Sequence, residues 1–326
     1  MITFRTHGER GLVQIDRPEP DCWVDVRNVD QADLAILERD YRIASELITD
    51  IMDPDEQARI EKEDEYTAII MRLPVYDHTF EVAYFTVPVG IIIFPDKIVT
   101  ICQRSSEVLD DLTGHRIKDF SLKNKSAFVL NLMGRSALTY LRFLKDLIKR
   151  MAIIERELQQ SVKNNELIQL LSIQKSLVYF TTSITTNELL LEKLQKSPFL
   201  HFREEERELL EDVLTDNKQA IEMSNIYSSI LTGTMDAFAS VISNNLNMVM
   251  KRLTVASIIL MLPNMVSGFF GMNVHLPFQE SPFAFMGIVG VSVLSAALGT
   301  LVLSERKKRK LATRMLPFTQ NLLVNR

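Results

Sequence analysis

What most constrains this chain is a pair of apolar segments near its C-terminal end, 253–270 and 283–303, preceded by a long run from Arg203 in which nothing strong enough to stop a helix occurs before Pro263. A bilayer core about 30 Å thick takes about 20 apolar helical residues to cross. Segment 283–303 meets that length without a charge, whereas 253–270 is interrupted by Thr254, Ser257, Asn264 and Ser267. Lys251 and Arg252 precede the first segment, RKKRK at 306–310 follows the second, and the connection 274–282 holds no Lys or Arg. Basic flanks mark the cytoplasmic side, so both outer flanks are expected inside and the short loop outside. Segment 1–11 carries charges and no apolar run of signal-peptide length, so the N-terminus is also expected in the cytoplasm of a multi-pass protein of the cell membrane.

Upstream the texture is different. Short apolar runs at 12–15, 22–26, 67–73, 80–87, 90–94 and 97–102 are broken by Pro, Gly and Asp, and their length and β-branched content predict strands. One amphipathic helix interrupts them, starting near Asp30 and carrying Leu34, Ile36, Leu37, Tyr41 and Leu47. Long helical patterns then cover 126–163 and 165–195, which should pack as an antiparallel hairpin. After Ser197 and Pro198, acids at Glu204, Glu205, Glu206, Glu208, Glu211 and Asp212 open a further helix, where the macrodipole favours them. Continued into the first span, it would extend on the order of 90 Å, the length of a stalk rather than of a globule. The expected organisation is an α/β cytosolic domain (1–120), its helical hairpin (121–202), a stalk helix continuing into the first transmembrane helix (203–270), an outside loop (271–282), a second transmembrane helix (283–303) and a basic tail (304–326).

Several functions are disfavoured. With 37 basic and 42 acidic side chains the formal charge is −5, so no basic field awaits nucleic acid. Cys22 and Cys102 are far apart and lack a CxxC or a suitably spaced His, so neither a disulfide framework nor a zinc site is indicated. No G-x-S-x-G, P-loop, G-x-G-x-x-G or H-E-x-x-H occurs, and His7, His78, His115, His201 and His275 are scattered. An enzyme, an organic cofactor and a small-molecule substrate are all unexpected.

A polar stripe carries the functional argument. Steps of four and three residues from Asp236 meet Ser240, Ser243, Asn247, Met250, Thr254, Ser257, Met261, Asn264 and Gly268, none of them large and branched. Ile242, Leu246, Val249, Leu253, Ile258, Ile259, Leu260 and Leu262 lie on the flanks, which inverts the apolar a and d rule of coiled coils. Small residues can mark a tight helix contact in lipid. Two Asn and an Asp on one stripe instead favour water, because intramembrane polar groups are costly and usually face a cavity. Met250, Leu253 and Met261 would then be constrictions that close by dewetting. One helix cannot enclose a path, so this reading requires oligomers.

The first span ends in Phe269-Phe270-Gly271-Met272-Asn273. Gly-Met-Asn in that position, with the inner segment 243–254 (SNNLNMVMKRLT) before it and a second span after it, resembles the signature of the CorA family of magnesium channels. Similarity extends over roughly 212–310, and Trp23-Val24-Asp25 and 50–73 look similar to the family's cytosolic domain. The resemblance implies a homopentameric funnel in the lipid bilayer, with the Gly271-Met272-Asn273 filter selecting ions at Asn273. It further implies secondary ion stations at Asn264, Asn247 and Asp236, a gate at Met250 and Leu253, and regulatory Mg2+ at Asp212. Chemistry independently favours Asn at the mouth: Mg2+ sheds water reluctantly, and a neutral amide ring can hydrogen-bond the hydrated ion without trapping it. Gly271 would allow a close turn and Met272 would pack. The family's Met-Pro-Glu-Leu loop is absent, with His-Leu-Pro-Phe-Gln-Glu at 275–280 instead, so Glu280 is the one acid left there and His275 could ligate a softer metal. Flux should be passive, the membrane potential supplying about 2.3 kcal/mol per charge per 100 mV. Alternatives are a Co2+, Ni2+ or Zn2+ transporter of the same architecture, and a membrane-tethered oligomeric sensor or scaffold.

Overall fold

The computed structural model describes residues 1–8, 11–113, 122–160, 164–196, 202–272, 282–283 and 285–300. The chain divides into two compact units, Met1–Phe238 and Ala239–Arg326.

The first unit is built on one seven-stranded sheet. Its strands are β1 (Ile2–Gly8), β2 (Gly11–Ile15), β3 (Cys22–Arg27), β4 (Arg59–Lys62), β5 (Thr67–Tyr76), β6 (Tyr84–Ile93) and β7 (Lys97–Cys102), in the spatial order β2-β1-β3-β7-β6-β5-β4. Only β3 and β7 run parallel. Both faces are apolar, so helices must cover both. Val24, Val26, Ile70, Val99 and Ile101 meet α1 (Gln31–Tyr41) and α2 (Ser45–Met52). Trp23, Met71, Leu73, Val89 and Ile91 meet α3 (Glu107–Thr113), α4 (Lys125–Gln160), α5 (Asn164–Lys196) and the start of α6 (Glu204–Phe270). On that side the Trp23 ring stands edge-on against Phe128, with centroids 5.3 Å apart. The mixed α/β reading of the sequence, with its helical hairpin and long following helix, is the fold observed.

Three local expectations change. The single helix from Asp30 is two helices. Asp30 does cap α1, its carboxylate accepting from the Asp33 N–H at 2.8 Å, but Arg42 closes the helix in the left-handed region at φ 53°. The separate strands at 80–87 and 90–94 are one strand, β6, passing through Pro88. Pro88 lies just past the last rung with β7, Val89↔Cys102, at the end of that ladder where a missing donor costs least. β4 pairs Arg59–Lys62 with β5 although it has only one large apolar residue, Ile60, so period and composition do not announce it.

The position of α2 depends on Gly90. A Cβ there would lie 2.2 Å from Ile51 Cδ1 and 2.8 Å from Cγ1, and Ile51 is fully buried between helix and sheet. Gly90→Ala should therefore destabilise the chain by about 1–3 kcal/mol, the usual cost of overpacking, seen as a lower Tm of the full-length protein. An unchanged Tm would mean that α2 can shift freely.

A second core fills the space among α4, α5 and the part of α6 up to Phe238, with Tyr140, Phe143, Leu177, Phe180, Ala220 and Leu231 at its centre. Arg72 of β5 anchors the hairpin to the sheet. Its backbone N–H donates to Asn187 Oδ1 at 2.9 Å, its carbonyl accepts from Asn187 Nδ2 at 2.8 Å and from Tyr140 Oη at 3.2 Å, and its Nε donates to Ser183 Oγ at 2.9 Å. Burial pulls the Arg72 guanidinium below its ordinary pKa, so the hydroxyl and carbonyl acceptors around it matter. Both thiols are buried, and burial pushes Cys102 up to about 11, which makes it an inert core residue.

Candidate functional site

Among the described residues one helix, Glu204–Phe269, is long and apolar enough to cross a membrane, and 0 % of its most apolar window is buried. A shorter apolar helix, α7 (Phe285–Thr300), follows within the expected second span. Positions 301–303 of that span lie outside the described residues, as do Asn273, His275, Glu280 and the RKKRK segment.

The stripe residues are all on α6. In a helix of 3.6 residues per turn, the ten positions from Asp236 to Gly268 fall within a sector of about 120°. Every one of them is exposed: Asp236, Ser240, Ser243, Asn247, Met250, Thr254, Ser257, Met261, Asn264 and Gly268. Leu253, at 60 % exposure, borders the same sector. In the stretch from Val255 to Val266 the partly covered residues are Val255, Ile259, Leu262, Pro263 and Val266. These five sit on the far side of the helix, centred about 145° from the middle of the stripe.

The cover within the second unit comes from α7. Gly299 approaches so closely that a Cβ there would lie 3.2 Å from Leu262 Cδ1 and 3.7 Å from Ile259 Cγ1. Small residues allow such helix approach in apolar surroundings. Sequence reading did not single out Gly299, although Ser295 and Gly299, small residues one helical turn apart within the second span, are the signal that could have found it. The polar stripe is thus turned away from its own chain's second apolar helix.

The side chains on the stripe divide by chemistry. Thr254 Oγ1 donates to the Met250 carbonyl and Ser257 Oγ to the Leu253 carbonyl, each at 2.9 Å, so these hydroxyls spend their protons on the helix and present lone pairs outward. The amides of Asn247 and Asn264 have no side-chain hydrogen bond among the described residues, leaving oxygen and nitrogen free for water or a hydrated ion. Met250 and Met261, 53 % and 67 % exposed, interrupt this polar run with apolar surface.

At the end of α6 the Gly271 N–H donates to the Ser267 carbonyl at 3.0 Å and to Gly268 O at 3.2 Å. Among the described glycines only Gly11 has positive φ, and a Cβ on Gly271 would meet Ser267 O at an ordinary 3.5 Å. The close turn expected of Gly271 is therefore not what this backbone requires. Met272, expected to pack, is 52 % exposed in the single chain.

Asp212 is exposed on α6 one turn before Asp216, whose carboxyl is raised above its usual range by partial burial and then by the Asp212 charge. No group of three or more His, Cys, Asp or Glu side chains that could hold a metal occurs among the described residues. One chain alone does not build a cation site around Asp212.

This combination of an α/β sheet unit, a long following helix and apolar C-terminal helices with an outward polar stripe defines a class of membrane transporter subunits. A model of the CorA-like Mg2+ transporter protein family matches residues 21–309, and the chain belongs to that family. It is similar to the cobalt/magnesium transport protein CorA of Methanocaldococcus jannaschii, 26% identical over 277 residues, which covers 83% of this chain and 86% of the relative. The cobalt/magnesium transport protein CorA of Thermotoga maritima is 18% identical over 313 residues, 93% of this chain and 88% of the relative. The complete structure of the M. jannaschii CorA magnesium transporter superposes with a TM-score of 0.78 at 22% identity, covering 93% of this chain and 96% of that one.

Proposed function

We propose that this chain is one subunit of a homopentameric channel that carries Mg2+ passively through a water-filled path lined by α6, with both termini in the cytoplasm and 271–282 outside. The observation that carries the proposal is the opposition of faces on α6. Val255, Ile259 and Val266 are partly covered within the chain, while Thr254, Ser257, Asn264 and Gly268 are exposed. An exposed stripe with free amides belongs against water, since lipid would leave those amides unsatisfied. Several copies around an axis provide that water, and the count of five comes from the family resemblance.

In this reading Asn273 with Gly271 and Met272 forms the outer filter, Asn264, Asn247 and Asp236 hold passing ions through their water shells, and Met250 with Leu253 closes the path by dewetting. Mg2+ is the substrate and, at Asp212 between subunits, a regulator. The relatives named for cobalt and magnesium support a divalent cargo, with Co2+, Ni2+ and Zn2+ as the competing ions. Segments 1–120, 121–202 and 203–270 are proposed as the α/β part, hairpin and stalk with first span.

A second reading, a scaffold whose helices only pack through their small residues, makes the opposite prediction about water. Single cysteines at Ser257, Met261 and Asn264 in membrane-embedded full-length protein should react with a charged aqueous thiol reagent, in the open state at least. Cysteines at Val255, Ile259 and Val266 should not. Reaction confined to the second set would leave no conduit along the stripe.

A further inference from the structure

The first unit contains a cavity of about 280 Å³ between α4, α5 and the chain joining β5 to β6. Leu147 and Ile154 of α4, Ile168 and Ile173 of α5, and Tyr84 form much of its wall, and Arg150 lines it too. A mostly apolar cavity with a few polar groups is the usual form of a small-ligand site.

Arg150 is held in an unusual way for a surface cation. Its guanidinium carbon lies 5.5 Å from the Tyr76 ring centroid and 5.4 Å from that of Tyr84, and its Nη2 donates to Tyr76 Oη at 3.2 Å. The Tyr84 ring is fixed in turn, edge-on to Phe143 at 5.3 Å and to Phe180 at 6.3 Å. Two rings therefore orient the guanidinium without neutralising it. No ion pair among the described residues includes Arg150. The nearby acids are engaged elsewhere, Asp146 with Lys149 at 3.4 Å and Glu81 with Lys175 at 3.1 Å. A guanidinium offers five donors in a planar fork, so most of the fork is unspent. Gln169 adds an amide with no side-chain hydrogen bond of its own among the described residues.

We propose that this cavity binds a small organic monocarboxylate with an apolar body, its carboxylate on the Arg150 fork and its body between Leu147 and Ile173. A single planar cation suits a carboxylate geometrically. A phosphate dianion fits poorly, because among the described residues Arg150 is the one cation lining the cavity and Glu81 stands in the same wall. An organic cation would face an unneutralised guanidinium. The proposal concerns occupancy of the cavity, so binding rather than flux is its readout.

The test uses full-length protein in nanodiscs and 3-phenylpropanoate as probe, with binding measured by equilibrium dialysis of the radiolabelled acid. The wild type should bind saturably, and 3-phenylpropanamide should compete at least tenfold more weakly. Arg150→Gln, which removes the fork at an exposed position, and Ile173→Trp, which fills the cavity, should each weaken binding at least tenfold. Lys145→Gln removes an exposed charge of the same helix that does not line the cavity and should leave binding within twofold. Should Ile173→Trp fail to fold, the Arg150 variant and the amide still decide. Absence of saturable binding, equal affinity for acid and amide, or an unchanged Arg150→Gln affinity would each overturn the proposal.

Discussion

Proteoliposomes carrying Asn273→Ala should take up Mg2+ at least about tenfold more slowly than those carrying the wild type, at equal protein density and imposed potential. The reason lies in the ion. Mg2+ holds its octahedral waters tightly and dehydrates reluctantly, so a narrow mouth must recognise the hydrated ion from outside its first shell. In the proposed filter an amide oxygen from each subunit would accept from those waters and add no net charge, which would permit both entry and departure. Alanine would remove that acceptor and widen the mouth. The α6 helix ends at Phe270, with the Gly271 N–H returned to Ser267, and Asn273 follows that end by three residues in the sequence. Running the assay with Mg2+, Co2+, Ni2+ and Zn2+ separates the competing cargoes. A variant that slows all four alike loses a general mouth, and one that slows Mg2+ most loses a selective one. Equal uptake by wild type and variant would remove Asn273 from the filter while leaving the stripe itself to the cysteine measurements.

The stripe was legible because its signal is compositional as well as periodic: small and amide-bearing residues at four- and three-residue steps stand out against Ile242, Leu246 and Val249. The face that α7 covers was not legible. Leu260 and Leu262 are the same residue type two positions apart, yet Leu260 is 72 % exposed and Leu262 partly covered, and only the approach of Gly299 distinguishes them. The same limit acts in the sheet unit. The start of α1 is marked by a capping acid at Asp30, but its end at Arg42 has no glycine or proline, and the left-handed turn there, followed by the Ile43 N–H donating to Leu37 O at 3.2 Å, is not advertised by residue type. β4 is invisible for a related reason: an edge strand of Arg, Ile, Glu and Lys gains its stability from pairing with β5, which no local pattern records. The regulatory site expected at Asp212 is a different case, since among the described residues of one chain no group of metal-holding side chains gathers there.

Asp25 of β3 should be one of the most sensitive positions for stability, although it is remote from the stripe in sequence. Its side chain is 2 % exposed and accepts from Arg27 Nε at 3.0 and 2.9 Å and from Thr100 Oγ1 at 3.3 Å. Thr100 in turn accepts from Trp23 Nε1 at 2.8 Å, and Arg5 approaches the same carboxylate at 3.8 Å. Trp23, Asp25 and Arg27 are alternate residues of one strand, so all three point to the same face of the sheet. Removing the carboxylate leaves the Arg27 and Arg5 guanidinium groups, only 15% and 21% exposed, without their shared partner, although Arg27 keeps its pair with Asp110. Breaking a buried pair from one side typically costs about 3–5 kcal/mol, and Asp25→Ala should fall at the low end because Asp110 remains. Thermal melting of the full-length protein should show a clearly lower Tm for Asp25→Ala. Asp25→Asn, which keeps an acceptor but not the charge, should lie between that variant and wild type. Replacing both partners together, Asp25→Leu with Arg27→Met, should recover part of the loss, because no uncompensated Arg27 charge would remain. If Asp25→Ala melted with the wild type, Asp110 alone would be sufficient to hold Arg27, and the carboxylate would be a passenger of the sheet rather than a part of what holds β3 and β7 together.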